Sequence, residues 1–247
     1  MRVNRAVSPA PRRSAIGTPV SRPIKFLAGL GLLPLLAAAA GAVADATAAL
    51  AEREHAFPSL VWTVGGAVVW LLCYALLPRP MRAYVLGHEL THVLWTWLHG
   101  GRAFGLRVGR RGGEVRVTRS NVWVSLAPYF FPFYTALVVV AWGAADLAGR
   151  ATGWRNVALG LVGLTWTFHA TFTIEMMQVR QPDLREHGVL FSTVIILLVN
   201  LAGVGVALSW VGGLGGLWWP QRFAARVVAG AGAAATALRA IAQGFSL

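Results

Sequence analysis

Long apolar stretches separated by short polar segments dominate the hydrophobic pattern of this chain. A helix that crosses the hydrocarbon core of a bilayer needs about 20 mostly apolar residues. Six stretches are apolar over this length or slightly less: 26–44, 58–77, 83–98, 122–145, 157–179 and 189–211. The pattern therefore predicts an all-α polytopic integral membrane protein with about six transmembrane helices.

The polar insert after the third stretch, residues 102–120, follows a different period. Apolar residues alternate there with polar or small ones on both sides of the pair Gly112-Gly113. The alternating apolar residues are Leu106, Val108, Val115 and Val117. Because alternation with a period of two around a Gly-Gly turn is typical of two paired strands, we expect a β-hairpin insert after the third helix.

The same pattern divides the chain into four segments. Residues 1–25 are basic, contain no acid and are rich in Pro and Ser, so we expect a disordered cytoplasmic tail. Residues 26–81 hold two N-terminal transmembrane helices; the first ends in small residues as a signal peptide would, but the long basic region before it favours a retained helix. Residues 82–216 form the membrane core. Residues 217–247 form an Ala/Gly-rich tail, which we interpret as a surface helix at the membrane interface.

Composition agrees with a membrane protein. Charged residues make up only 13% of the chain, against about 25% in a soluble domain. The net charge of +13 comes almost entirely from arginine, since Lys25 is the only lysine. These arginines lie mostly between apolar stretches, which indicates contact with lipid headgroups and a role in topology rather than nucleic-acid binding. An Arg-rich, Ala-rich chain with one lysine is typical of a GC-rich bacterial genome, so we expect a bacterial plasma membrane.

The distribution of arginines also predicts the orientation in the membrane. Six helices with a cytoplasmic N-terminus satisfy the positive-inside rule at most basic segments. The basic segments placed in the cytoplasm are 1–25, Arg79 with Arg82, Arg150 with Arg155, and the C-terminal tail. The Arg-rich hairpin is the exception, since it would lie on the other side.

The third stretch contains the motif His88-Glu89-Leu90-Thr91-His92. Residues four apart share one face of a helix, so His88 and His92 can both direct an imidazole nitrogen to one metal ion. Glu89 is close enough to act as general base on a water molecule, which is the arrangement of zinc hydrolases. A structural polar cluster between helices is the alternative, but ionisable groups inside a membrane usually mark function.

The order of these features resembles the M50 family, the site-2-protease-like intramembrane metalloproteases. The motif helix is followed by Gly100-Gly101, by a hairpin, and by Ser125-Leu126-Ala127-Pro128, which matches a small-Gly-Pro motif with Ala in place of Gly. The resemblance covers roughly residues 82–201. It implies zinc-dependent hydrolysis of peptide bonds in transmembrane protein substrates, with His88 and His92 as zinc ligands and Glu89 as general base.

The third zinc ligand is left open among three residues. The resemblance implies Asp183, in Gln181-Pro182-Asp183, although the Asp-Gly pair of the family is incomplete and Asp183 is predicted to lie outside the bilayer. His169, near the middle of the fifth stretch at the depth of the motif, ranks level with it. Glu175 ranks behind both.

Two other classes of function are compatible with the sequence. A membrane protein with the same fold that has lost proteolysis would act as a scaffold or regulator, which the imperfect third-ligand motif favours. A transporter would use His169 and Glu175 as a polar relay, but the chain has no inverted repeat and its polar groups concentrate in one motif.

Overall fold

The computed structural model describes residues 21–109, 112–150, 153–179 and 181–244, without the side chain of His55. About 80% of these residues are helical. Residues 1–20 of the predicted disordered tail and the hairpin residues 110–111 lie outside the described residues. Residues 22–25, predicted to belong to the tail, instead form the first turn of a helix.

Within the described residues, nine α-helices and one two-stranded sheet follow along the chain. In order they are α1 (Arg22–Ala51), α2 (Phe57–Leu76), α3 (Met81–Leu98), β1 (Ala103–Gly109), β2 (Gly112–Val117), α4 (Val122–Phe130), α5 (Phe133–Leu147), α6 (Arg155–Gln178), α7 (Pro182–His187), α8 (Val189–Val211) and α9 (Trp218–Gly244). A single 3₁₀ turn, Glu54–Ala56, precedes α2.

Five of these helices, α1, α2, α6, α8 and α9, are long and apolar enough to cross a membrane, and α4 with α5 makes a sixth if the bent pair is one span. The fold therefore agrees with a helical membrane protein of about six spans. The helices that could span a membrane differ from those predicted: α3 is not a candidate span, whereas α9 is one. The polar residues His88, Glu89 and His92 lower the hydropathy of α3. The interpretation of residues 217–247 as a surface helix stays a prediction.

The span predicted over 122–145 is not one continuous helix, because the chain breaks between α4 and α5 with a bend of 77°. Phe131 has extended backbone angles, φ −102° and ψ 107°, at the end of α4. Pro132 follows it, and a residue before proline is pushed out of the helical region while proline itself lacks an N–H donor. The break leaves α4 as a short, deeply buried helix.

The predicted hairpin is confirmed, since β1 and β2 pair antiparallel. A bulge interrupts the register between Phe104 and Arg107, where Gly105 has a φ of +71°. The hairpin runs back along α3: Gly101 lies against Thr96 near the end of α3, whereas Gly113 lies against Val85 in its first half. The far end of the hairpin is thus brought to the half of α3 that follows Arg79 and Arg82.

Helix α4 lies at the centre of the core that supports the site. Seven of its nine residues, from Val124 to Phe130, are buried. They pack against Leu184 of α7 and Ile196 of α8. Asn200 of α8 donates a hydrogen bond to the Tyr129 carbonyl at 2.9 Å, which braces α8 against α4. Helix α4 therefore connects α7 to the membrane-spanning helices.

Candidate metal centre

The two histidines of the motif share one face of α3, as predicted. The ring centroids of His88 and His92 are 5.0 Å apart. This separation follows from the i, i+4 spacing of a regular helix. Glu89, one position round the helix, is buried with 7% of its surface exposed.

Asp183 joins this pair from α7. Its Oδ2 atom lies 3.9 Å from His88 Nε2 and 3.8 Å from His92 Nε2. One ligand atom from each of the three residues lies within 4.8 Å of the others, and this is the one such group of three or more among the described residues.

The short polar link predicted over residues 180–187 is helical over most of its length and partly buried within the protein. Residues 182–187 form the short helix α7, which begins with Pro182 at its N-terminus. Leu184, only 4% exposed, belongs to the core cluster around α4, and Asp183 beside it is 9% exposed. Burial of Leu184 therefore carries the neighbouring carboxylate into the interior.

Hydrogen bonds fix the orientation of all three side chains. His92 Nδ1 lies 2.9 Å from the Val124 carbonyl oxygen, and His88 Nδ1 lies 3.3 Å from the Tyr84 hydroxyl. The Tyr129 hydroxyl donates to Asp183 Oδ2 at 3.4 Å. With both Nδ1 atoms engaged, the Nε2 atoms are directed at Asp183. Partners of this kind usually surround histidine and carboxylate ligands in metal sites.

The donor set suits zinc. Two imidazole nitrogens and one carboxylate oxygen form a usual ligand set for catalytic zinc, with bonds of about 2.0–2.2 Å. Tetrahedral geometry with such bonds separates ligand atoms by about 3.3 Å. The two separations from Asp183 Oδ2, 3.8 and 3.9 Å, exceed this by about half an ångström, and all three ligand atoms lie within 4.8 Å of one another. His88, His92 and Asp183 would hold the ion.

A cavity of about 360 Å³ opens beside this group. His88, Glu89 and His92 of α3 form one wall, Asp183 another, and the strand β2 a third. Gly113 of β2 packs so closely on α3 that a Cβ there would lie 2.8 Å from Glu89 Oε1 and 2.6 Å from Val85 Cγ1. A side chain at this position would displace Val85 or Glu89, so β2 lies directly over the glutamate.

The other two predicted third ligands lie apart from this group. His169 is buried behind His88, and both line a separate cavity of about 20 Å³. Its ring interacts with the Asn200 side chain and the Tyr129 backbone. Glu175 accepts a hydrogen bond from the Tyr74 hydroxyl at 3.0 Å and forms an ion pair with Arg79. Of the three candidates, the structure brings Asp183 to the histidines.

Two tyrosines of the site were not predicted from the sequence. Tyr84 stands four residues before His88, so helical spacing alone could have placed it on the motif face. Tyr129 carries no comparable local signal, because its contact with Asp183 depends on the packing of α4 against α7.

No protein-family model matches this chain, and no curated protein or solved structure is significantly similar to it. The resemblance to the M50 family therefore rests on the sequence motifs alone.

Proposed function

We propose that this protein is an intramembrane zinc metallopeptidase of the M50 type. One observation carries the proposal: the ligand atoms of His88, His92 and Asp183 converge within 4.8 Å, and Glu89 lines the same cavity. Two histidines, a carboxylate and a buried glutamate beside an open cavity form the side-chain set of zinc-dependent hydrolases.

The side chains divide the reaction between them. A zinc ion, when bound, supplies Lewis acidity, which polarises a peptide carbonyl and makes water more acidic. Glu89 accepts the proton from the attacking water and donates it to the leaving nitrogen. Tyr84 and Tyr129 hold His88 and Asp183 in position through the hydrogen bonds described above.

The proposed substrate class is the one that the family resemblance implies, and the lining of the cavity is compatible with it. Residues of β2 line the cavity, and no residue of β1 does so among the described residues. A peptide bond within a helix is shielded by its own hydrogen bonds, so a transmembrane substrate has to unwind before it is cleaved. An unwound segment can then pair with the free edge of β2 as an added strand. The proposed substrate is therefore a transmembrane protein, and the proposed location is a bacterial plasma membrane.

Replacement of Glu89 separates catalysis from metal binding. In Glu89→Gln we expect zinc to remain bound while cleavage of a single-span reporter in liposomes falls by at least about 1,000-fold, since the general base is lost. Glu52→Gln, an exposed glutamate at the end of α1, is the matched control and retains activity. Unchanged cleavage in Glu89→Gln would contradict the proposal. Bound zinc without cleavage by the wild-type protein would favour a proteolytically inactive scaffold or regulator.

A further inference from the structure

A second and larger cavity is separate from the metal cavity. This lateral groove has a volume of about 640 Å³ and shares no lining residue with the metal cavity. It lies where the break at Phe131–Pro132 turns α5 away from α4, and α6 and α8 complete its walls. Every residue that lines the groove is apolar or a glycine, except Thr135. The Thr135 hydroxyl forms a hydrogen bond with the Thr165 hydroxyl at 3.0 Å.

The length of the groove matches one leaflet of a bilayer. Along α8 the lining runs from Val199 to Val211, which at about 1.5 Å per residue is about 18 Å. Half of a hydrocarbon core of about 30 Å is about 15 Å. Val211 ends α8, so the groove extends from the end of this helix to about its middle.

The end of the groove near Val211 carries a positive charge. A small cavity that shares Val139, Val162 and Trp210 with the groove continues to Arg155, the first residue of α6. The Arg155 guanidinium donates to the Ser59 hydroxyl at 2.8 Å, which uses one of its five N–H groups. In the part of the chain that the structure describes, no carboxylate forms an ion pair with Arg155.

Aromatic residues at the same end of the groove indicate that this end lies at the level of the lipid headgroups. The rings of Trp142 and Trp210 pack edge to face with centroids 5.3 Å apart beside Arg155. Tryptophan and arginine at the ends of membrane spans are typical of the interface between hydrocarbon and water. The groove thus combines an apolar channel one leaflet long with a cation at its interfacial end.

We infer that the lateral groove binds an anionic phospholipid, with an acyl chain along α8 and the phosphate at Arg155. A transmembrane helix fits less well, because an apolar helix offers no anion to Arg155. This inference does not depend on the proposed peptidase activity.

Native mass spectrometry of the full-length protein tests the site. The protein is exposed to equal amounts of phosphatidylglycerol and phosphatidylcholine, and re-extracted in a delipidating detergent. We expect one retained phospholipid per chain, with about a fivefold preference for phosphatidylglycerol from a single arginine. Val206 lines the groove and is 42% exposed, so a tryptophan there would fill the groove without disturbing the core. We expect Val206→Trp to lose the retained lipid.

Matched variants separate the groove from the rest of the membrane surface. Val228→Trp, at a 72% exposed position of α9, keeps the lipid, and Val139→Trp removes it from the opposite wall. Arg155→Gln keeps an amide donor for Ser59, so we expect it to retain lipid but to lose the preference for phosphatidylglycerol. Arg239→Gln, on α9, should keep this preference. Equal retention in Val206→Trp and Val228→Trp would overturn the inference. So would loss of a copurified polypeptide, rather than lipid, from Val206→Trp.

Discussion

Asp183 Oδ2 lies 3.8 Å from His92 Nε2, although the hairpin and three helices separate the two residues along the chain. The contact depends on α4, which holds α3 on one side and α7 on the other. Because the third ligand atom is brought in by packing rather than by a local motif, the properties of the site should respond to changes in that packing.

Removal of the Tyr129 hydroxyl should weaken zinc binding without unfolding the protein. Phenylalanine keeps the buried ring but loses the hydrogen bond to Asp183 Oδ2, so we expect the affinity to fall by about 10–100-fold. Competition with a chromogenic chelator measures this change. Tyr74→Phe is the matched control: it removes the hydrogen bond from the Tyr74 hydroxyl to the Glu175 carboxylate and should leave the zinc affinity unchanged. An equal loss in both variants would contradict a specific role for Tyr129.

Substitution of Gly113 by alanine should displace β2 from α3. The added methyl would lie 2.6 Å from Val85 Cγ1 and 2.8 Å from Glu89 Oε1, so the strand or the glutamate must move. We expect cleavage to fall by about 10–100-fold, since a small displacement of a catalytic group costs rate steeply, while zinc remains bound. Gly143→Ala, where a Cβ meets no atom within 4 Å, should retain activity. Full activity in Gly113→Ala would show that β2 does not position the site.

Glu175 should contribute to stability but not to metal binding. Its side chain is 26% exposed and that of Arg79 is 48% exposed, and a pair of this kind contributes about 0.2–1 kcal/mol. Glu175→Gln should therefore lower the melting temperature slightly and leave the zinc content unchanged. Loss of zinc from this variant would return Glu175 to the set of ligands.

Asn200 should act as a brace between α8 and α4. Its Nδ2 donates to the carbonyl oxygens of Tyr129 and Ile196 at 2.9 and 2.8 Å. Hydrogen bonds between membrane helices average about 0.6 kcal/mol and reach about 1.7 kcal/mol. We expect Asn200→Leu to lower the free energy of unfolding by this amount in a denaturation assay. If the free energy of zinc binding fell by more than the free energy of unfolding, Asn200 would instead belong to the metal site.

The features that the sequence predicted are those set by local periodicity. The helix over Met81–Leu98 and the hairpin appear near their predicted positions because the helical and two-residue periods of their apolar positions determine them locally. Gly112 and Gly113, predicted to form the turn, are instead the first two residues of β2. The i, i+4 spacing of His88 and His92 likewise needs nothing beyond one helix.

Features that depend on tertiary packing were not predictable in the same way. The sequence placed Asp183 in a short polar link beyond the fifth apolar stretch, so its depth counted against it as a ligand. Its burial depends on Leu184 packing against α4, which no local pattern reveals. The break at Phe131 carries a local signal, since Pro132 disfavours the helical conformation of the residue before it, whereas Pro128 is accommodated inside α4.

Metal content of the detergent-purified protein tests the central claim most directly. Wild type, His92→Ala, Asp183→Ala and His169→Ala are dialysed against zinc and measured by elemental mass spectrometry. We expect about one zinc per chain in wild type and in His169→Ala, as a site of two histidines and one carboxylate requires, and strong loss in His92→Ala and Asp183→Ala. No bound zinc in wild type, or loss of zinc in His169→Ala with retention in Asp183→Ala, would contradict this account.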